Sequence, residues 1–245
     1  MGVEVIRFGQ TLQFFARQEV IVSAGTIGSP QLLMLSGIGD SEHLEKVGVK
    51  PLHHLPEVGR NLQDHLLLPV SFDTPSPLSL NLAELNKVST WWQYLGSGRG
   101  PLTSTGALSG VAQLHTQANN DPRPDIQYNL FALTVALDYG LLINENIGMT
   151  DSTSYAWSEP HMGKYSSCFG VTLNRPKSRG YIELRSSNPM DHPIIQPNYL
   201  SAQEDVDTLI GGIRIALKML NTTAMLEVGA QPWEVKILFN LRIKS

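Results

Sequence analysis

The chain has 245 residues, enough for one large domain or two modest ones, and 42% of them are hydrophobic against 16% charged. That balance describes a globular protein with a sizeable core and excludes a disordered one. The net charge of −4 argues against nucleic acid or an acidic membrane as partner, and the lone Cys168 excludes an internal disulfide and a multi-cysteine metal site.

No apolar run reaches membrane-spanning length, and the opening MGVEVIRFGQ lacks the apolar core of a signal peptide. Val3, Val5 and Ile6, then Phe8-Gly9, then Leu12 to Phe15 predict a hairpin. Glu19 to Ser23 crowds β-branched residues before a glycine and predicts a short buried strand. Ala24-Gly25 is then a turn, and Ser29-Pro30 reads as a helix start, the serine as cap and the proline in the first turn. Gln31 to Leu35 continue as a helix too apolar for a surface, and Gly37 and Gly39 end it. A strand, a glycine turn and a helix N-terminus together make a place where backbone amides can meet a ligand's negative or polar atoms. Most such units bind nothing, so spacing alone leaves ligand contact open.

Asp40 and Ser41 predict a cap for a helix over 42–47, closed by Gly48. His53, His54 and His65 invite a metal reading, but adjacent histidines in an extended segment point to opposite sides and no carboxylate sits at ligand spacing, so no metal site is assigned. Val58 to His65 reads as an ordered loop whose polar groups fix its shape. Thr74-Pro75-Ser76-Pro77 is a breaker cluster and the expected domain crossing.

Asn81 predicts a cap for a helix carrying Leu82, Leu85, Val88, Trp92 and Leu95 at three- and four-residue steps. Trp91-Trp92 beside Tyr94 could receive a cationic head, but an aromatic stripe at that spacing is expected to be core. Gly96 to Pro101 ends the helix without forming G-x-G-x-x-G. Strands are expected over 107–115 and 125–131, separated by the turn-rich Asn119 to Pro124, and a long irregular loop over 138–160. Ser167 to Leu173 predicts a strand holding Cys168. In Tyr181 to Ser186, Ile182 and Leu184 face one side and Tyr181, Glu183 and Arg185 the other. Ser201 to Glu204 reads as a capping box. The helix it opens is expected to bury Val206, Leu209, Ile210, Ile213, Leu217 and Leu220 and to turn Asp205, Asp207 and Lys218 away.

Several of these strings match a known family. SAGTIGSPQLLMLSGIG, residues 23–39, resembles the second signature of the glucose–methanol–choline (GMC) oxidoreductases, FAD enzymes that oxidise alcohols. Val58 to His65 is similar to the segment that follows this signature. RPKSRGYIELRSSNP resembles the family's substrate domain, and DHPIIQPNYL is most similar to its choline dehydrogenases. The likeness runs to about Trp233, while the ending after it resembles no segment of the family.

The resemblance implies a mixed α/β and α+β fold. A partial FAD-binding lobe would span 1–73, a substrate-binding lobe with a mostly antiparallel sheet flanked by helices 74–233, and a divergent tail 234–245. It implies FAD as cofactor, with Ser23, Ala24, Gly25 and Ser29 at its site, and choline or a similar small alcohol as substrate. A base would take the hydroxyl proton while hydride passes to the flavin. Neither the family's opening G-x-G-x-x-G nor its late histidine motif is matched, so no catalytic residue is assigned. The chain then reads as the middle and later part of a member, inactive alone; a non-catalytic interaction module is the alternative. The location is left unknown, mitochondrial only if the chain is choline dehydrogenase-like, and nothing indicates the electron acceptor.

Overall fold

The structure, a computed structural model, describes residues 2–103, 107–116, 122–137 and 148–234. The turn at 119–121, the loop at 138–147, the glycine loop at 104–106 and the ending from 235 lie outside the described residues. The chain forms two compact units, one of Met1–Asp64 with Ser178–Ser201, the other of His65–Lys177 with Ala202–Ser245. It changes unit after Asp64, ahead of the expected crossing at Thr74 to Pro77. The segment 178–201, expected in the substrate lobe, groups instead with the signature helix.

In the first unit the hairpin forms as expected: β1 (Gly2–Arg7) pairs antiparallel with β2 (Gln10–Phe15). Phe8 (φ 50°) and Gly9 (φ 76°) make a two-residue turn with both φ values positive, the hand that matches strand twist. Residues 19–24, expected as a buried strand, are irregular instead, and Ile21 is 79% exposed. β-branched residues extend a backbone, but a strand also needs a hydrogen-bonded neighbour, and no described strand pairs with these residues.

Helix α1 (Gly25–Leu35) begins four residues before the expected Ser29-Pro30 start and carries Pro30 inside it. Its apolar residues are divided: Met34 is buried, whereas Ile27 and Leu32 are exposed, against the expectation of a wholly buried helix. Ser36 ends α1 and Gly37 follows at φ +83°. Next come β3 (Ile38–Gly39), α2 (Ser41–Lys46) and β4 (His53–His54), with β3 and β4 pairing in parallel. The Asp40 side chain caps α2 by accepting from the Glu42 N–H, as the sequence predicts.

A small core of Met34, Leu44, Ile182 and Leu184 sits under α1. Ile182 and Leu184 come from β9 (Tyr181–Glu183) and the residue after it, so the expected alternation holds. β9 pairs antiparallel with β10 (Ile194–Gln196). The chain closes this core through one reciprocal backbone exchange and one further backbone hydrogen bond. The Leu62 N–H donates to Gly180 at 3.0 Å and the Gly180 N–H to Leu62 at 2.8 Å, and the Ile182 N–H donates to the Gly59 carbonyl at 2.7 Å.

The second unit is built on a five-stranded antiparallel sheet. The sheet comprises β5 (Leu67–Thr74), β6 (Leu108–Leu114), β7 (Ile126–Phe131), β8 (Tyr165–Leu173) and β11 (Gln231–Pro232), in the order β11-β5-β8-β7-β6. The mostly antiparallel sheet expected for this part of the chain is therefore present. Residues 82–97 form two helices where one is expected, α3 (Leu82–Leu85) and α4 (Val88–Ser97). The Asn81 side chain accepts from the Ala83 N–H, as expected. The described end of the loop expected over 138–160 is helical, as α5 (Asp151–Ser158) and a 3-10 turn over Glu159–His161.

Helix α6 (Gln203–Leu220) packs on the sheet, followed by α7 (Thr223–Glu227). Its cap is Ala202 without a side-chain hydrogen bond, so the expected capping box does not form. Its buried residues are Asp205, Leu209, Gly212, Ala216 and Leu220, while Ile210 and Leu217 are exposed. The cause is close approach: the Tyr128 hydroxyl donates to the Gly212 carbonyl at 2.9 Å, and a Cβ on Gly212 would stand 2.8 Å from Val171 Cγ1. At Gly212 only a residue without a side chain fits, while Leu209 and Leu220 are buried on the same face as expected. Asp205 turns inward because its carboxylate accepts from the Lys177 N–H at 2.7 Å.

Gly59 adopts φ +82°, and a Cβ there would collide with the Ile182 carbonyl. Gly59→Ala is expected to destabilise the chain by about 3 kcal/mol, from left-handed strain plus displacement of a buried strand. Urea unfolding of the two proteins measures this. A midpoint shift within experimental error would mean that this seam does not anchor the unit.

Candidate functional site

The residues singled out from the sequence converge on the N-terminus of α1. Ser23 lies exposed in the irregular approach, Ala24 is the N-cap, and Gly25 is the first helical residue at φ +78°, with nothing within 4 Å of a Cβ built on it. Ser29 is not the cap. Its Oγ reaches back and accepts from the Ala24 N–H at 3.0 Å, which leaves the amides of the first turn without a side-chain acceptor. Helical geometry gives those amides no carbonyl partner, and α1 has no acidic residue in its first turn. Residues 23–27 are exposed. The result is a concentration of N–H donors at the positive end of an eleven-residue helix, suited to a phosphate or another anionic oxygen.

Gln31 Nε2 donates to the Asp191 carbonyl at 3.1 Å, so the middle of the helix is held while its tip stays open. The loop after the signature is ordered, as expected. Gly59 and Asn61 both take positive φ, and Arg60 pairs with Glu183 at 3.0 Å with its guanidinium over the Tyr181 ring. Tyr199 donates its hydroxyl to Asp64, and His54 Nδ1 lies 3.1 Å from Ser41 Oγ. Among the described residues no group of three or more His, Cys, Asp or Glu side chains could hold a metal ion. Cys168 is buried in β8, and burial alone pushes its thiol up to about 12, which makes it unreactive.

A second polar cluster was not legible in the sequence. Asp73, near the end of β5, receives His161 Nδ1 at 2.7 Å and Lys164 Nζ at 3.3 Å on Oδ2, and Ser166 Oγ at 2.7 Å and Trp233 Nε1 at 2.6 Å on Oδ1. The His161 and Trp233 rings stack at 3.8 Å, with Trp157 edge-on to Trp233. Burial pushes the Asp73 carboxyl up, but the hydrogen bonds from His161, Ser166 and Trp233 outweigh it and hold the group below its usual value. The cluster ties β11 and Trp233 to the sheet, where the Trp233 N–H also donates to Ser71 at 3.0 Å. Every acceptor position of the carboxylate faces the protein's own donors, so its work is structural.

The trunk of this fold recurs in known flavoenzymes. Two family models, both described as GMC oxidoreductase, match residues 1–67 and 176–244, and the chain belongs to the GMC oxidoreductase family. The second match runs through the ending that resembles no family segment by inspection. Choline dehydrogenase, mitochondrial, from Homo sapiens is 38% identical over 213 residues, covering 84% of this chain and 32% of the relative. Glucose dehydrogenase [FAD, quinone] from Drosophila pseudoobscura pseudoobscura is 35% identical over 237 residues, covering 94% of this chain and 34% of the relative. The crystal structure of a formate oxidase shares the fold with a TM-score of 0.77 at 23% identity, over 98% of this chain and 44% of that one. The chain thus spans about a third of the length of the curated relatives it matches. No helix among the described residues is long and apolar enough to cross a membrane.

The Asp73 cluster has a defined pH signature. The folded carboxyl titrates below the unfolded one, so its stabilisation is complete above the unfolded value near 4 and disappears as pH falls through the folded value. Asp73→Asn is expected to cost about 2–3 kcal/mol at neutral pH. The difference in urea midpoint between the two proteins should shrink as the pH drops below about 4. A difference that stays constant into strong acid would contradict the assignment.

Proposed function

We propose that this chain supplies part of the flavin cleft and of the substrate lobe in a GMC enzyme that oxidises a small alcohol, choline being the favoured candidate. The observation that carries the reading is the open, uncapped N-terminus of α1, formed by the family's signature residues. The cofactor is FAD. Its anionic or carbonyl oxygens would be received by the amides that follow Ala24, with Gly25 leaving room for close approach and Ser23 at the rim. Ser29 orients the Ala24 amide and does not touch the cofactor itself.

FAD, if bound there, would supply the acceptor for the hydride that leaves the alcohol carbon. This chain's own residues bind and orient. The seam at Gly59 and Ile182 fixes the helix that carries the donors, and the helix's positive end favours negative charge on the ligand. The choline preference rests on the relatives: one is a choline dehydrogenase, and the DHPIIQPNYL segment lies within the second family match. No histidine is assigned as the base.

Ala24→Asp tests the reading directly. A carboxylate at the cap would satisfy the first-turn amides and keep or raise thermal stability, yet it would oppose an anionic ligand. Titration of the chain with FAD, followed by flavin fluorescence, is expected to show saturable binding that weakens at least tenfold in the variant. Equal affinity in both proteins, or no binding by either, would refute the site.

A further inference from the structure

Two imidazoles in the first unit accept hydrogen bonds from backbone amides, which only an unprotonated ring nitrogen can do. The Leu184 N–H donates to His43 Nε2 at 3.1 Å, and the Ser41 N–H donates to His54 Nδ1 at 3.2 Å. His43 lies in α2 and His54 in β4. The short helix is thus tied by its own ring to the residue after β9 and by its first amide to β4. Both bonds lie inside the first unit.

The two amides depend on these rings to different degrees. Leu184 is 2% exposed and packs with Leu44, the neighbour of His43, under Met34 of α1. A buried amide that loses its acceptor is costly. Ser41 opens α2, where the first amides have no carbonyl partner within the helix. Asp40 serves the Glu42 amide, and His54 serves that of Ser41. His54 is the more exposed ring, so water can replace it, and His43 carries most of the effect.

Imidazole is the side chain that gains charge between about pH 8 and pH 5. With Nε2 accepting, the neutral His43 ring carries its hydrogen on Nδ1, so a second proton can go only to Nε2. Acceptor then becomes donor, facing another donor. The folded unit refuses a proton that the unfolded chain takes up, so this stabilisation is present at higher pH and lost as pH falls.

Charged groups on the surrounding elements do not offset the loss. Helix α1, β3 and β10 carry none. On α2, Glu42 pairs with Lys46 at 2.7 Å, and Asp40 ahead of it serves as cap. Glu183 of β9 pairs with Arg60 at 3.0 Å. Glu45 and Arg185 remain and carry opposite charges, and His53 alternates with His54 to the other side of β4.

We propose that His43, supported by His54, forms an acid-released clasp. With both rings neutral, α2 is fastened to β4 and to the strand end at Leu184; their protonation unfastens it and loosens the core beneath α1. If the function proposed above holds, the same acidification unseats the helix that carries the flavin-facing amides, but the clasp is testable without flavin.

The whole chain and a His43→Gln/His54→Asn variant are unfolded in urea at about pH 8 and about pH 5.5. Glutamine and asparagine put an amide oxygen near the positions of Nε2 and Nδ1, and that oxygen accepts at either pH. The folded-to-unfolded ratio of wild type, divided by that of the variant, is expected to fall about tenfold between the two conditions. An unchanged quotient would overturn the proposal. Amide exchange in wild type gives a reading that needs no variant: protection of the Leu184 amide, corrected for the intrinsic rate, is expected to drop about tenfold on acidification. Constant protection would overturn the clasp. So would an equal drop at the Val171 amide of β8, which would mean that acid acts on the whole chain and not on α2.

Discussion

The first unit depends on one narrow contact, the passage of residues 59–62 against residues 180–182. Gly59 gives its carbonyl to the Ile182 amide, and Leu62 and Gly180 exchange both of theirs. These residues lie some 120 positions apart in the chain, so the contact closes a long loop and must recover the entropy of doing so. It does so by placing Ile182 and Leu184 under Met34 and Leu44, a dry core that neither segment could make alone. The left-handed conformation at Gly59 and the missing side chain there are conditions of that approach.

Several signals with a local cause read true, although the capping box at Ser201 to Glu204 and the Ser29 cap did not. The tight turn at Phe8-Gly9, the Asp40 and Asn81 caps, the left-handed glycines after α1 and α2, and the alternation of Ile182 and Leu184 follow from a few neighbouring residues. Signals that needed a distant partner failed. The run from Glu19 to Ser23 has strand composition but no described strand beside it. The inward face of α6 is only partly legible: Leu209 and Leu220 are buried as expected, while Ile210 and Leu217 are exposed. Close contact with Tyr128 and Val171 requires the absence of a side chain at Gly212. The stripe on α4 had the spacing of a core face, yet Val88, Trp91, Trp92 and Leu95 are exposed, and spacing cannot report which way a face turns.

The candidate site shows the same division. The residues singled out, Ser23, Ala24, Gly25 and Ser29, do lie at a helix N-terminus, but the position of Ser29 within the helix was not legible. A serine before a proline normally caps, yet here the helix starts earlier and the hydroxyl serves the Ala24 amide from inside the first turns. Asp73 offered a weaker signal still, a single carboxylate in the strand LLPVSFDT. Its donors come from residues 161–166 and from Trp233, which no local reading connects.

These two polar sites make opposite use of the same chemistry. At Asp73 every strong acceptor position is filled by the protein, so the group is rigid, stabilising and closed to ligands. At α1 no side chain supplies the acceptors that a cap would, so the first-turn amides are left without side-chain partners. An uncapped terminus is tolerable only on a helix anchored elsewhere. The anchors are Met34 in the core and Gln31 on the Asp191 carbonyl, both beyond the exposed first turn. The seam at Gly59 therefore governs the site at a distance: it secures the helix that can leave its tip unsatisfied.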